Sequence, residues 1–229
     1  MSPSGPQLHI IKNMNLQNFY RQTDKSFEQL ISNTVMKEQP DSRAFGAYVE
    51  KLIKDNWQNL CKEWGAIPQE HPGRRTIYDV NCIVENEKIG FDIKSKDLDT
   101  TRYADGGICA VGNLLKYMVR NNASLILSEF GYMIKNNSVV FDYVVSIPFH
   151  LLPEDTYRIE NLGTGQLRLN YTLKKSYQDV SWNRTKTSFY EIFSKLCLKH
   201  YSKVSEVAEK RRKAIEWFIK SGYKEINIK

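Results

Sequence analysis

The chain has 229 residues, 41% hydrophobic and 12% aromatic, a composition that builds a buried core and excludes a disordered polymer. Its net charge is +7, and the whole surplus lies between Arg184 and Lys229, where 12 Lys and Arg stand against 5 Asp and Glu. Four scattered cysteines with no CxxC pair, and no apolar run of spanning length, argue against a zinc or disulfide scaffold and a membrane protein.

No repeat or low-complexity linker divides the chain, so a single domain over 1–229 is expected, its first forty residues forming an extension toward DNA or a partner subunit. The first clear element is a helix over 43–60, where Phe45, Tyr48, Val49, Leu52, Ile53 and Leu60 follow the helical period. Asp41 or Ser42 stands where a cap belongs. Two short strands follow over 76–84 and 87–94, joined by a tight turn at Glu85-Asn86. A helix is expected over 108–121, then a long hairpin over 124–148 that turns at Lys135-Asn136-Asn137 and stops at Pro148. Residues 164–174 alternate like a further strand. A long helix or helix pair spans 188–220, opened by a Ser188-Phe-Tyr-Glu191 capping box. Its expected buried stripe is Ile192, Leu196, Val204, Val207, Ala208, Ile215 and Phe218. The sum is an α/β chain, a mixed sheet flanked by helices. The basic C-terminal region favours a polyanion such as nucleic acid, a solvated Lys-rich face being the plain alternative.

The chemistry concentrates in IYDVNCIVENEKIGFDIKSK, residues 77–96. Alternate residues of a strand share a face, so Asp92 and Lys94 point the same way. A turn centred on Glu85-Asn86 sets Asp79 directly across from Asp92, which brings both carboxylates and the lysine onto one face. Opposed carboxylates repel, and a hard divalent cation with oxygen ligands offsets that cost. Mg2+ at this place would stabilise charge on a scissile phosphate and acidify an attacking water, with Lys94 orienting the water or countering charge in the transition state. A surface hairpin whose Asp and Lys face water is the plain alternative. Glu50, at the edge of the first helix's apolar face, is either a further carboxylate for the site or a surface partner of Lys54.

These residues resemble the PD-(D/E)XK superfamily, and within it the blunt-cutting, EcoRV-like and HincII-like type II restriction endonucleases. Gly46-Ala-Tyr-Val-Glu50-Lys51-Leu52 looks like that group's N-terminal helix with its glutamate, and Asp79 with Asp92-Ile93-Lys94 matches its catalytic carboxylates and lysine. The 124–148 hairpin and the SKLCLKHYSKVSEVAEKRR helix are also similar, so the resemblance runs from about residue 43 to 220. The proline usual before the first aspartate is replaced by Tyr78.

The resemblance implies a restriction-endonuclease-like fold and a cytoplasmic bacterial, Mg2+-dependent, site-specific deoxyribonuclease. Its catalytic residues would be Asp79, Asp92, Lys94 and Glu50, with the metal on Asp79, Asp92, the Ile93 backbone carbonyl and Glu50. It implies a homodimer whose two-fold axis matches a palindromic site in double-stranded DNA, cut to blunt ends with 5′-phosphates. A cognate DNA methyltransferase would act on the same site. It also implies where sequence is read: Thr101, Arg102, Tyr103, Asp105 and Gly106 of the loop after the catalytic triplet, and Asn113, would lie near base pairs. Tyr103 would stack on bases or wedge between them, or else be a partly buried loop aromatic.

Asn161, Thr164 and Gln166 suit a second reading element, because Asn and Gln amides both donate to and accept from adenine in the major groove. The same run is also a routine turn. Arg74, Arg75, Lys174 and Lys175 suit phosphates, which position a protein without reading sequence, though such charges are often merely solvated, and Arg43 with Gln39 would approach the minor groove or a partner subunit. Two other functions fit the pattern. A structure-specific repair or junction nuclease of the same fold would need shape more than base edges, which the polar reading loops weigh against. A DNA-binding protein without catalysis has no use for the intact Asp79, Asp92 and Lys94 set.

Overall fold

The computed structural model describes residues 6–38, 44–70, 73, 76–100, 107–160 and 165–220. Tyr20, Thr23, Phe27, Ile31 and Val35 recur about every four residues, and that buried stripe seats the long helix α1 (Pro6–Glu38) on the core. Nothing in the sequence reading anticipated α1. Helix α2 (Phe45–Glu63) matches the expected helix and buries Phe45, Val49, Ile53, Trp57, Leu60 and Cys61 at the same spacing. The residue before its first turn is Ala44, which offers no side-chain cap, and the expected caps Asp41 and Ser42 lie outside the described residues.

The central sheet has five strands in the order β1-β2-β3-β5-β6. They are β1 (Ile67–Pro68), β2 (Val80–Val84), β3 (Glu87–Asp97), β5 (Ala123–Lys135) and β6 (Ser138–Pro148). The β2–β3 turn has two residues, Glu85 and Asn86, both at positive φ, which is the hairpin geometry that matches strand twist. The β5–β6 turn does the same with Asn136 and Asn137, so Lys135 belongs to the strand rather than the turn. β3 and β5 run parallel, with Asp92 beside Leu127 and Lys94 beside Glu129. The sheet is therefore mixed.

A parallel pair needs a crossover, and the segment between β3 and β5 supplies it. The helix expected over 108–121 is shorter than that range. Residues Gly107–Ala110 form β4, α3 covers Val111–Leu115, and a π-helical turn covers Lys116–Arg120. β4 joins a second sheet of order β4-β8-β7, with β7 at Tyr157–Glu160 and β8 at Gln166–Leu169. The expected strand over 164–174 thus stops at Leu169, and Leu173 opens the short helix α4 (Leu173–Ser176).

Helix α5 (Lys186–Lys220) is one helix of 35 residues. Thr185, rather than Ser188, caps it: its hydroxyl accepts the Ser188 N–H at 3.1 Å. Lys186 ties its start to Glu87 of β3 at 2.8 Å. None of the described residues of the stripe expected along α5 is fully buried: Ile192 and Leu196 are half-buried, and the buried residues are instead Phe189, Phe193 and Cys197 near the start of the helix. Ala208 and Ile215 are exposed, Val204 and Val207 are half-exposed, and the Phe218 side chain lies outside what is described. The spacing is helical, but the buried positions are offset by one residue from the expected Ile192 and Leu196.

Two apolar cores result. One lies between α1, α2 and the sheet face carrying Ile89, Phe91, Ile126 and Phe130. The other lies under the opposite face, between Leu125, Leu127 and Ile147 and the second sheet with α3 and α5. Each fully buried Phe or Leu contributes roughly 1.5–3 kcal/mol. Among the described residues no helix is long and apolar enough to cross a membrane.

Candidate active site

The register that the two-residue turn dictates is observed: Val84 opposes Glu87 and Val80 opposes Phe91. One step further, the ladder gives way. The Asp79 N–H donates to the Phe91 carbonyl at 2.7 Å, and its carboxylate Oδ2 accepts the Ile93 N–H at 2.7 Å. β2 begins at Val80, so beyond Phe91 no ladder partner covers β3 on this side, and Asp79 takes that place. The Ile93 carbonyl points to the same side as its N–H, toward that open edge.

Asp92 is 6% exposed and lies on the face of the second core. One oxygen, Oδ1, meets the Lys94 ammonium at 2.7 Å. The other, Oδ2, is buried with no hydrogen-bond partner. Burial pushes the Asp92 carboxyl up to about 7; Lys94 opposes this, while the charges of Asp79 and Glu50 push the same way. Asp79 is also held above the ordinary carboxylate range, by burial first and by Glu50 as well, against the pull of the Ile93 N–H, Lys94 and Lys54. Cys109 of β4 lies close over the site. Its thiol is pushed up to about 12 by burial, with the Asp92 charge adding to the effect.

Glu50 reaches this region because α2 comes close to β3. A β-carbon on Gly46 would stand 2.6 Å from the Ser95 hydroxyl, so any larger residue would have to push that side chain aside. The Glu50 carboxylate itself is paired with Lys54, the plain alternative that the i,i+4 spacing offered. It acts on the two aspartates through its charge rather than by contact.

A buried carboxylate oxygen without a partner is costly in isolation, and here it sits beside a second carboxylate and a third. A hard cation is the ligand that such a set fits. Among the described residues no three His, Cys, Asp or Glu side chains are placed to hold a metal by themselves. Mg2+ asks for less, since one or two carboxylates suffice when water and phosphate oxygens complete its shell.

The other predicted site residues divide into groups. Asn113 is exposed and lines a cleft with Tyr78, Tyr117, Lys116 and Arg120. Gln166 is half-buried in the middle strand of the second sheet, its amide next to Gly107 at the start of β4. Gly165, just before β8, accepts the Val111 N–H at 2.9 Å, so the start of β8 adjoins α3. Lys174 is paired with Asp142 at 2.9 Å and lies over the Tyr143 ring. Arg43, Arg74, Arg75, Thr101, Arg102, Tyr103, Asp105, Gly106, Asn161 and Thr164 lie outside the described residues. Lys116 and Arg120 were not among the expected site residues, though their i,i+4 spacing in an expected helix is a readable signal. The buried Glu129 was not expected either, and no local pattern marks it.

No protein-family model matches the chain, and no curated protein matches it in sequence.

Proposed function

We propose that the chain is a Mg2+-dependent, site-specific DNA endonuclease with the PD-(D/E)XK fold, of the blunt-cutting type II restriction kind. One observation carries the reading: a buried carboxylate, Asp92, with an unpartnered oxygen, beside Asp79 and bonded to Lys94 on one hairpin. The mixed sheet with its parallel β3–β5 pair and flanking helices is compatible with that fold.

Asp79, Asp92 and the Ile93 carbonyl would hold the ion, with Glu50 adding negative field from α2. When bound, Mg2+ supplies positive charge at a phosphate and lowers the pKa of water. Asp92 holds the Lys94 ammonium in place, and that ammonium orients the attacking water and neutralises charge growing on a non-bridging phosphate oxygen. Water attacks phosphorus in line, the bond to the 3′ oxygen breaks, and that oxygen takes a proton to leave a 3′-hydroxyl and a 5′-phosphate. The Ile93 N–H fixes the Asp79 carboxylate, so the acidic edge is set before substrate arrives. A homodimer would place one such edge on each strand of a palindromic site.

The test is digestion of a long, fully sequenced DNA by the purified protein, with Mg2+ and with EDTA. Discrete Mg2+-dependent fragments with blunt ends are expected, together with their loss in Asp92→Ala. Smearing would replace site specificity with nonspecific cleavage, and intact DNA in Mg2+ and Mn2+ alike would remove the nuclease reading.

A further inference from the structure

Next to the acidic edge, on the same face of β3, lies an open cleft of about 490 Å³. Its floor is aromatic. Tyr78 and Tyr117 pack together with ring centroids 5.1 Å apart, and their atoms come within 3 Å of where a β-carbon on Gly90 would stand. The missing side chain at Gly90 thus leaves room for the Tyr78 ring and the Tyr117 hydroxyl against the strand. Tyr117 is 6% exposed, and its hydroxyl is buried without a partner.

The walls are polar and basic. Asn113 comes from α3, Lys116 and Arg120 from the two ends of the π-helical turn, and Asn121 follows directly. Lys116 and Arg120 are both exposed, and among the described residues neither forms an ion pair. Among the described residues no acidic side chain lines the cleft. Two free cations on one side of a groove, with side-chain amides between them, make a surface for oxyanions rather than for a base edge.

Position selects the ligand. Tyr78 immediately precedes Asp79, and Gly90 lies two residues before Asp92 with its face toward the same side. Two residues of strand span about 7 Å. A DNA strand advances by about 3.4 Å per phosphate along the helix axis, so a strand whose phosphate reached Asp92 would bring a near neighbour to the cleft.

We infer that this cleft is a docking site for the sugar–phosphate backbone of duplex DNA flanking the cut, with Lys116 and Arg120 neutralising its phosphates and Asn113 and Asn121 hydrogen-bonding to it. The inference rests on the endonuclease reading and adds to it an affinity element that reads no sequence.

The experiment measures binding of the full chain to a 30-base-pair duplex in EDTA across a salt series, so that cleavage plays no part. The double variant Lys116→Gln with Arg120→Gln should bind about 10- to 100-fold more weakly, and the slope of log affinity against log salt should shrink by about 2. A control with the same loss of charge elsewhere, Lys25→Gln with Lys135→Gln, should change the slope little, since both lysines are exposed and far along the chain from the cleft. Equal affinity and equal slope for the cleft variant and the unaltered protein would overturn the inference while leaving the endonuclease reading in place. Equal losses in cleft variant and control would reduce the effect to net charge and overturn it too. Failure of the unaltered protein to hold any duplex would remove both readings together.

Discussion

Asp92 and Glu129 are two buried carboxylates on the same face of one sheet, on neighbouring strands, and their surroundings are opposite. Glu129 is 1% exposed and its Oε1 accepts from the Tyr143 hydroxyl at 2.7 Å and the Leu173 N–H at 2.9 Å. Burial pushes Glu129 up, and these hydrogen bonds, with one from the Lys174 N–H, draw it back. Asp92 has one lysine and a bare oxygen. Equal burial thus accompanies different satisfaction. A saturated carboxylate fastens β5 to β6 and to the start of α4, whereas an unsaturated one is available for chemistry.

The sharpest test of that contrast is Asp92→Asn. Cleavage should fall by about 10³-fold or more. The unfolding midpoint in EDTA should rise by about 2 °C, because the amide keeps the shape and the acceptor for Lys94 while removing a desolvated charge. A fall in midpoint would mean that the Asp92–Lys94 pair is structural and the contrast is wrong.

Glu129→Ala should do the reverse. It leaves the Tyr143 hydroxyl and the Leu173 N–H buried without an acceptor, at a cost of about 3 kcal/mol measured by denaturant unfolding. Activity per folded molecule should stay within about 3-fold of the unaltered protein. Loss of cleavage at unchanged stability would put Glu129 among the catalytic groups instead.

His150 extends the comparison to a buried base. It is 7% exposed, and its Nδ1 has no partner. Burial, with Lys186 and Arg184 adding to it against Glu87, holds its pKa down to about 4 from 6.5. The unfolded chain takes up this proton below pH 6.5 and the folded one only near pH 4, so stability is complete above pH 6.5 and falls between those values. The loss should reach about 3 kcal/mol at pH 4, and His150→Phe should flatten that part of the pH–stability curve. An unchanged curve in the variant would assign the acid loss to other groups.

The smallest effect belongs to Glu50→Gln. Its carboxylate is partly exposed and paired with Lys54, so stability should move by no more than about 0.5 kcal/mol. Cleavage should fall by about 10-fold, since only its field reaches the aspartates. A loss as deep as that of Asp92→Asn would make Glu50 a direct ligand.

The sequence was readable where structure is local. The β2–β3 register follows from a two-residue turn and was expected; the placing of Asp79 directly across from Asp92 was expected too, but the ladder stops at Val80 and Asp79 turns its carboxylate to the Ile93 N–H. The β5–β6 hairpin was readable for the same reason. The second sheet was not, because its strands have four residues each and β4 pairs with β8 across some sixty positions. Helix α1 was missed because its apolar stripe is diluted by polar residues on every other side. The role of Glu129 depends on groups from β6 and α4 that meet only in the folded chain, 14 and 44 residues away.

The positive-φ turn at Glu85 and Asn86 has a consequence for how this chain can change in length. Either residue can be exchanged for glycine at little cost, since the backbone already adopts the conformation glycine prefers. An insertion is another matter. One extra residue either bulges the loop or slides β2 by one place against β3, and sliding turns Val80 and Cys82 out of the core and carries Asp79 away from Asp92. The site therefore tolerates many spellings of this turn and only one length.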